Sequence, residues 1–347
     1  MREVIVSRGE ASRRLDKYLL KYMNSATPGF IYKMLRKKRI KLNSARAEGN
    51  ETLCEGDIIT LYLSDETVSG FISERTAPPP EGGLDIVFED DDILLINKPA
   101  GMLVHSDSPT GTGDLASRLV YYLESRGLLS NTFTPAPSNR LDRNTSGIVI
   151  CGKHPAAVRA LNEARSEKLY LTVVSGEVKK PELLTGYIFK NQSNNESIVS
   201  ASPIDGSKEI ITEYSPIGWG GGITLLCVKL ITGKSHQIRA QLKAAGLPIL
   251  GDPKYGDLLV NRRVHLKHQL LHAAGFTFLD NGSLLQKYNH KTYWAPAPAY
   301  FSSFINKKIG VFCDESYYFG SGIRNKVIPS DFGQTQSSVK NSGESNY

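Results

Sequence analysis

The 347-residue sequence has few cysteines, no CxxC pair and no long apolar run. Cys54, Cys151, Cys227 and Cys313 are far apart, a spacing that indicates neither a disulfide framework nor a cysteine zinc site. The first ten residues lack the apolar segment of a signal peptide, and no stretch approaches the ~18 apolar residues that a membrane span needs. These absences predict reduced thiols and a cytoplasmic protein without a membrane partner.

Positive charge is concentrated near the N-terminus. The formal net charge is +7, and residues 1–65 contain 13 Lys and Arg against 8 Asp and Glu, so they contribute +5. Six of the nine residues from 33 to 41 are Lys or Arg. Cations at a polyanion surface release its counterions, so this segment is suited to bind phosphates. A solvated helix face would carry the same charges, and the pattern alone leaves both interpretations open.

Residues 1–65 are predicted to form a small unit of two helices and short strands. Apolar residues at helical spacing occur over residues 12–22 and again after Thr27, a plausible N-cap that is followed by proline. Ile40 and Leu42 alternate with polar residues, and the segment DIITLYL is rich in β-branched residues, so strands are expected there. Residues 66–83 lack apolar periodicity and include three consecutive prolines, which predicts a linker.

A larger domain is expected over residues 84–305. Its strand-like segments outnumber the helical stretches at 155–168 and 236–245 and do not alternate strictly with them. This pattern favours an α+β fold, with a mixed, largely antiparallel sheet and flanking helices, over a doubly wound one. Residues 306–347 are predicted to form a C-terminal extension that is disordered from about residue 325, because they are polar and lack periodicity.

In the segment SNRLDRNTSGIVI, three charged residues lie close together shortly before an apolar run. Asp142 lies between Arg140 and Arg143, and residues 148–150 are predicted to form a buried strand. Neighbouring cations favour an ionised carboxylate, and the strand would fix its position, so Asp142 is a candidate nucleophile or base. A structural ion pair that supports a turn explains the local pattern equally well.

The segment LITGKSHQIRAQL follows a predicted strand and begins a helix. A phosphate-binding loop of the Walker type needs a glycine five positions before its GK pair, where this chain has Val228, so no such loop is expected. The turn presents Lys234, His236, Gln237 and Arg239, which suit contact with an anionic backbone or with a carboxylate.

Two further segments are given structural interpretations. His265, His268 and His272 have a spacing superficially like that of metal ligands, but no HExxH order occurs, so a metal site is not predicted. The segment LGDPKYGD is rich in Gly, Pro and Asp and is predicted to form an ordered turn.

Taken in order, several segments resemble the RluA-type pseudouridine synthases. LLINKPAGMLVH (94–105) is similar to the first motif of that family, NRLDRNTSGIVI (139–150) to its catalytic motif and EKLYLTVVSG (167–176) to its tyrosine motif. LITGKSHQIR, LPILGDPKYG and LLHAAGF follow in the order of the family, so the resemblance covers about residues 84–280. At the N-terminus, IYKMLRKKRIKLN and EGDIITLYL resemble an S4 RNA-binding domain, an arrangement most similar to that of the RluC-like enzymes of large-subunit ribosomal RNA.

The resemblance implies an RNA pseudouridine synthase that needs no cofactor and no metal. Asp142 would be the essential carboxylate, Tyr170 would pack against the target base and Arg239 would pair with the aspartate. Arg140 would enter the space that the flipped base leaves. Attack of Asp142 on C1′ and removal of a proton from C2′ by Asp142 both remain open as mechanisms.

Other residues are expected to contact RNA without taking part in the reaction. They are Arg13, Arg14, Lys33, Arg36, Lys37, Lys38, Arg39, Lys234 and His236. The chain departs from the family pattern at Asn139, where a histidine is usual, and at Lys234 with Ser235, where Arg-Thr is usual, which puts the RNA contacts made there in doubt.

The resemblance also implies a partner. Ribosomal RNA is the expected substrate of a monomeric enzyme, with transfer RNA as the alternative. A non-catalytic RNA-binding factor in ribosome assembly is a competing interpretation, but such a protein would make no use of Asp142, Tyr170 and Arg239, all of which are present.

Overall fold

The protein is described here by a computed structural model, which covers residues 1–7, 9–72, 82–106, 113–129, 132–191, 196–282 and 284–309, and the backbone of 311–312. The fold is α+β: a small antiparallel sheet is followed by a large mixed, mostly antiparallel sheet with helices, as the sequence predicts. The proline-rich part of the expected linker and the tail from residue 325 lie outside these ranges. No helix within the ranges combines the length and the hydropathy required to cross a bilayer.

The N-terminal unit has a four-stranded antiparallel sheet whose strands have the order β1-β4-β2-β3. Its elements are β1 (Arg2–Ile5), α1 (Leu15–Tyr22), α2 (Pro28–Arg36), β2 (Ile40–Leu42), β3 (Ala45–Arg46), β4 (Ile58–Leu61) and α3 (Asp65–Gly70). The Thr27 hydroxyl accepts a hydrogen bond from the backbone N–H of Phe30 at 3.3 Å and Pro28 begins α2, as predicted. Leu15 and Leu19 of α1, Ile31 and Leu35 of α2 and Ile59 of β4 share one apolar core.

Residues 66–72, which the sequence assigns to a linker, belong instead to this unit. Ser64 caps α3 by accepting a hydrogen bond from the N–H of Thr67 at 3.2 Å, and Val68 is fully buried in the N-terminal core. The ring of Phe71 contacts that of Phe30, with centroids 4.4 Å apart. The pattern did not reveal α3 because a six-residue helix is too short to show a clear apolar period.

The second sheet contains eleven strands within the described residues, nine of them in the order β10-β9-β11-β12-β8-β13-β7-β6-β5. Two short strands, β14 and β15, pair with β13 and β11 respectively. The elements are β5 (Ile86–Glu89), β6 (Ile93–Lys98), α4 (Leu115–Glu124), β7 (Ser146–Gly152), α5 (Pro155–Glu163), β8 (Ser166–Ser175), β9 (Glu182–Asn191), β10 (Glu196–Ser200), β11 (Lys208–Gly220), β12 (Ile223–Leu230), α6 (Gln237–Ala244), α7 (Leu258–Val264), β13 (Leu271–Phe278), β14 (Thr292–Trp294), α8 (Ala299–Lys308) and β15 (Val311–Phe312).

Successive side chains of the central strand β8 enter different apolar cores. Tyr170 and Val174 belong to the core that α4 and α6 cover, whereas Leu171 and Val173 belong to the core that α8 covers. Side chains alternate across a strand, so β8 separates the two faces of the sheet. Tyr170 therefore lies on the face that carries α6.

The C-terminal boundary expected at residue 305 divides a helix. The helix α8 continues to Lys308, its residue Ile305 is buried and Ile309 directly after it is buried too. The backbone of β15 pairs with β11 through residues 311 and 312. The packed part of the chain thus extends beyond the predicted limit. The sequence did not show this because the last turn of α8 contains the exposed Lys307 and Lys308, which mask its apolar pattern.

Candidate active site

Asp142 lies in the loop directly before β7, at the wall of a cleft of about 580 Å³. All seven residues of β7 are buried, as the apolar run predicts. The strand therefore anchors one end of the loop within the sheet. The Asp142 side chain is 26% exposed, so its carboxylate reaches the cleft.

Arg239 on α6 joins two carboxylates. Its Nη1 donates to Oδ2 of Asp142 at 2.6 Å, while Nε and Nη2 donate to Oδ2 and Oδ1 of Asp252 at 2.7 and 2.9 Å. Burial disfavours the Arg239 charge, but the hydrogen bonds and charges of Asp252, and then of Asp142, outweigh burial and raise the pKa of Arg239. A permanently charged guanidinium thus faces Asp142.

The expectation that Arg140 and Arg143 hold Asp142 ionised is corrected. Both side chains are exposed, and in the described part of the chain the ion pairs of Asp142 are with Arg239 and, at 3.9 Å, with His236. Arg140 and Arg143 do line the same cleft. Neighbours in a loop can project in different directions, and the residue that pairs with Asp142 is 97 positions away in the sequence.

Lys98, at the end of β6, is a further residue of this region that sequence reasoning missed. It is fully buried, and its Nζ donates to the carbonyl oxygens of Pro99 and Met102, each at 2.9 Å, and of Arg143 at 3.1 Å. Burial lowers the pKa of Lys98 to about 7, and the nearby Asp142 opposes that change. Lys98 therefore connects the turn after β6 to the loop that carries Asp142. The only local signal was a lysine that ends an apolar strand.

Buried polar groups also form hydrogen bonds with the end of the loop that carries Asp142. Gln269 Nε2 donates to the hydroxyl of Thr145 at 2.9 Å, and Ser146 Oγ lies 2.9 Å from Nδ1 of His272. Burial lowers the pKa of His272 to about 4, so its ring is neutral at pH 7. Its Nε2 lies 3.0 Å from the carbonyl oxygen of Ala295, which accepts the ring proton and leaves Nδ1 to accept from Ser146. His272 is thus a structural group of the site.

Two of the three histidines, His265 and His272, have opposite environments. His265 is exposed at the end of α7, whereas His272 is enclosed as described above. Within the residues that the structure covers, no group of three or more His, Cys, Asp and Glu side chains is arranged to hold a metal ion.

Tyr170 and the turn before α6 complete the walls of the cleft. Tyr170 is 7% exposed, and its burial, reinforced by Asp142, raises the pKa of the phenol, so the ring is uncharged at pH 7. Lys234 is exposed at the rim. His236 also lines the cleft, with Nδ1 2.9 Å from the hydroxyl of Tyr255, and burial lowers its pKa. The structure therefore brings Asp142, Tyr170 and Arg239 together with these two residues.

None of the expected RNA-binding residues of the N-terminal unit is among the described residues that line the cleft. Arg13 is half-buried and donates to the carbonyl oxygen of Thr132 at 2.8 Å, so its guanidinium makes a contact within the chain. Arg14 is exposed and pairs with Asp16 at 3.0 Å. The remaining five are exposed on α2 and directly after it: Lys33, Arg36, Lys37, Lys38 and Arg39.

Known proteins are similar to this chain in sequence and in fold. Residues 92–244 match the family of RNA pseudouridylate synthases. Over 284 residues the chain is 31% identical to ribosomal large subunit pseudouridine synthase C of Haemophilus ducreyi, an alignment that covers 79% of this chain and 86% of that protein. This chain belongs to the RluA family of pseudouridine synthases. It is therefore an isomerase that acts on RNA.

A second sequence relative and a solved structure are consistent with the assignment of this chain to the family. An uncharacterized RNA pseudouridine synthase of Mycoplasma pneumoniae is 29% identical over 315 residues, which cover 87% of this chain and 97% of that protein. The solved structure of human RNA pseudouridylate synthase domain containing 1 has a TM-score of 0.55 at 19% identity and covers 73% of this chain and 99% of the human chain. The human structure supports the α+β fold of the synthase.

Proposed function

We propose that this synthase converts specific uridines of large-subunit ribosomal RNA to pseudouridine, with Asp142 as the essential carboxylate. The observation that carries the assignment of Asp142 is its 2.6 Å hydrogen bond from Arg239 at the wall of the cleft. The guanidinium holds the carboxylate at the cleft, and the ionised carboxylate is the form that can attack a carbon or remove a proton. The second guanidinium edge is occupied by Asp252, so Arg239 cannot turn away from Asp142 without breaking a buried ion pair.

The reaction breaks the bond between N1 of uracil and C1′ of the ribose, rotates the base and joins C5 to C1′. C5 releases its proton and N1 takes up a proton, so the product is an isomer of uridine and no electron acceptor is needed. The target must leave the base stack to reach the cleft, which costs a few kcal/mol, roughly, in unstacking and unpairing. In this proposal Tyr170 offers its ring to the extruded uracil, and Arg140, exposed at the rim, occupies the space that the base leaves.

Asp142 acts on the sugar in either version of the mechanism. It either attacks C1′ to form a covalent intermediate or removes the C2′ proton so that a glycal forms. Both versions require an ionised carboxylate at the same place, so the pair with Arg239 supports both equally.

The ribosomal substrate is supported by the name of one relative and by the basic N-terminal unit. A relative with 31% identity over 79% of the chain is named a ribosomal large subunit pseudouridine synthase. In addition, we propose that residues 1–72 are an S4-like RNA-binding domain. The exposed cations of α2 and the residues after it would then bind RNA phosphates away from the cleft.

The test is pseudouridine mapping of ribosomal and transfer RNA from cells that lack this gene, complemented with wild type, Asp142→Asn or Asp280→Asn. The proposal expects large-subunit sites to disappear and to return with wild type and with Asp280→Asn, whose altered carboxylate is exposed. It expects no return with Asp142→Asn. Loss of transfer RNA sites alone would contradict the ribosomal substrate, and restoration by Asp142→Asn would contradict the role of Asp142.

A further inference from the structure

Lys168 is a partly buried cation in the wall of the cleft. It lies on β8 two positions before Tyr170, so both side chains are on one face of the strand, and both line the cleft. Within the described parts of the chain its ammonium has no hydrogen bond and no carboxylate partner. The adjacent Glu167 lies on the other face and forms an ion pair with Lys229.

The cleft as a whole carries a large excess of positive charge. Six lysines and arginines line it, and Asp142 is the one carboxylate among the described lining residues. That carboxylate already accepts a hydrogen bond from Arg239. Removing an ammonium from water is costly unless an opposite charge or acceptor replaces the water. The unpaired Lys168 therefore favours the entry of an anion.

The position of Lys168 indicates which part of a nucleotide would meet it. Among the described residues, Asp142 forms ion pairs with Arg239 and, at 3.9 Å, with His236, and none with Lys168. Lys168 therefore lines the same cleft without contacting the carboxylate that would meet the sugar.

We propose that Lys168 binds a backbone phosphate of the RNA, at the target nucleotide or at its neighbour. This proposal rests on the assignment of the cleft as the active site. A phosphodiester carries a full negative charge, whereas the uracil carbonyl groups carry none, so the phosphate gives the larger gain to a desolvated ammonium. Lys168 would hold the strand in place while Tyr170, on the same face of β8, contacts the base.

The proposal is tested by measuring RNA binding as a function of salt concentration. Lys168→Gln and Lys229→Gln are each made in the Asp142→Asn background, so that binding is measured without turnover, on a large-subunit RNA fragment that wild type modifies. For Lys168→Gln, the slope of log Kd against log salt concentration should become shallower by about 0.7 to 0.9, the value for one phosphate contact. Affinity at low salt should fall about tenfold, as for the loss of one charged hydrogen bond.

The control variant changes the same residue type on the opposite face of the sheet. Lys229→Gln should leave the slope unchanged, because the Lys229 side chain pairs with Glu167 and does not line the cleft. Lys168→Arg should keep most of the wild-type slope, since arginine also binds phosphate. Thermal unfolding of each variant shows whether the fold is retained.

An unchanged slope for folded Lys168→Gln would overturn the phosphate contact, even if turnover by the single variant fell. Lower turnover with an unchanged salt dependence of binding would indicate that Lys168 contacts the base instead. The proposed function fails by a separate result, which is turnover by Asp142→Asn in the presence of wild-type-like binding. The slope and the turnover are independent measurements, so the two failures can be told apart.

Discussion

Asp252 binds two nitrogen atoms of Arg239 and leaves only Nη1 to face Asp142. The Asp252 side chain is completely buried and also accepts hydrogen bonds from the N–H groups of Lys254 and Tyr255, at 2.9 and 3.0 Å. The turn over residues 250–257 therefore fixes the direction in which Arg239 points. The segment that the sequence predicts to be an ordered turn therefore supplies the carboxylate that orients Arg239.

Replacing Asp252 should lower activity, although Asp252 itself acts through Arg239 and not by contact with RNA. Asp252→Asn removes the charge that orients Arg239, so we expect kcat to fall about tenfold or more, with a smaller change in KM. Breaking a buried ion pair should also destabilise the fold by about 3–5 kcal/mol, so activity is measured well below the unfolding temperature. Asp257→Asn is the control because Asp257 caps α7 and asparagine caps helices equally well. Wild-type kcat in folded Asp252→Asn would contradict this role.

Gly147 should tolerate no side chain. Its φ is 115°, and a Cβ would lie 2.2 Å from the carbonyl oxygen of Ala273 on β13. Gly147→Ala should therefore cost at least about 3 kcal/mol, measured by denaturant unfolding, and should displace the loop that carries Asp142. Gly29→Ala on α2 meets no atom within 4 Å and should change stability by less than about 1 kcal/mol, in the stabilising direction. Equal stability of the two variants would contradict the close approach of β7 and β13.

His272 should make stability depend on pH in the acid range. Its pKa is about 4 in the folded protein, against about 6.5 in an unfolded chain. Between these values the unfolded chain binds a proton that the folded chain does not, so the free energy of unfolding falls as the pH is lowered from 6.5 towards 4. The loss amounts to about 3 kcal/mol at most. Stability above pH 6.5 is unaffected by this group.

The measurement for His272 is denaturant unfolding at several pH values. His272→Gln should flatten the dependence between pH 6.5 and 4, whatever its effect on absolute stability. His290→Gln is the matched control for the loss of a histidine, because that side chain is 71% exposed. If the free energy of unfolding depends on pH equally in wild type and His272→Gln, then His272 binds its proton equally well in the folded and the unfolded chain, which contradicts the prediction.

The basic residues of α2 and of its C-cap Lys37 should contribute to RNA affinity and not to the chemical step. The triple variant Lys33→Gln, Arg36→Gln and Lys37→Gln should make the salt dependence of RNA binding shallower by up to about 2 in log–log slope. Its kcat at saturating RNA should stay unchanged, because none of the three lines the cleft. The double variant Lys307→Gln and Lys308→Gln on α8 controls for the loss of charge alone. Equal slopes for the triple variant and wild type would remove the RNA-binding role of α2.

Features that depend on nearby residues were predictable from the sequence. The Thr27 cap with the proline after it located the start of α2, and the apolar run after Ser146 located β7. The α+β class was predictable because the strand signals outnumber the helix signals and do not alternate strictly with them. The proximity of Asp142 and Arg239 was available only from the resemblance, since no local rule connects residues 97 positions apart.

Other features depend on contacts that a linear pattern does not contain. Asp252 looked like part of a turn because its partner Arg239 comes from a different element. Lys98 looked like the polar end of a strand, although the carbonyl of Arg143 that it binds is 45 positions away. The opposite error arose at Arg140, where closeness in sequence suggested an ion pair with Asp142 that the folded loop does not make.

The parallel pairing of β7 with β13 has a consequence for how the enzyme is made. Ser146 and Gly147 lie beside His272 and Ala273, so the loop of Asp142 is held by strands synthesised more than a hundred residues apart. A nascent chain that ends before β13 has Asp142, Tyr170 and Arg239 but lacks the strand that supports the loop of Asp142. Contacts of such sequence separation form late, because long loops must close first. Modifying activity should therefore begin only when nearly the whole chain has left the ribosome that made it.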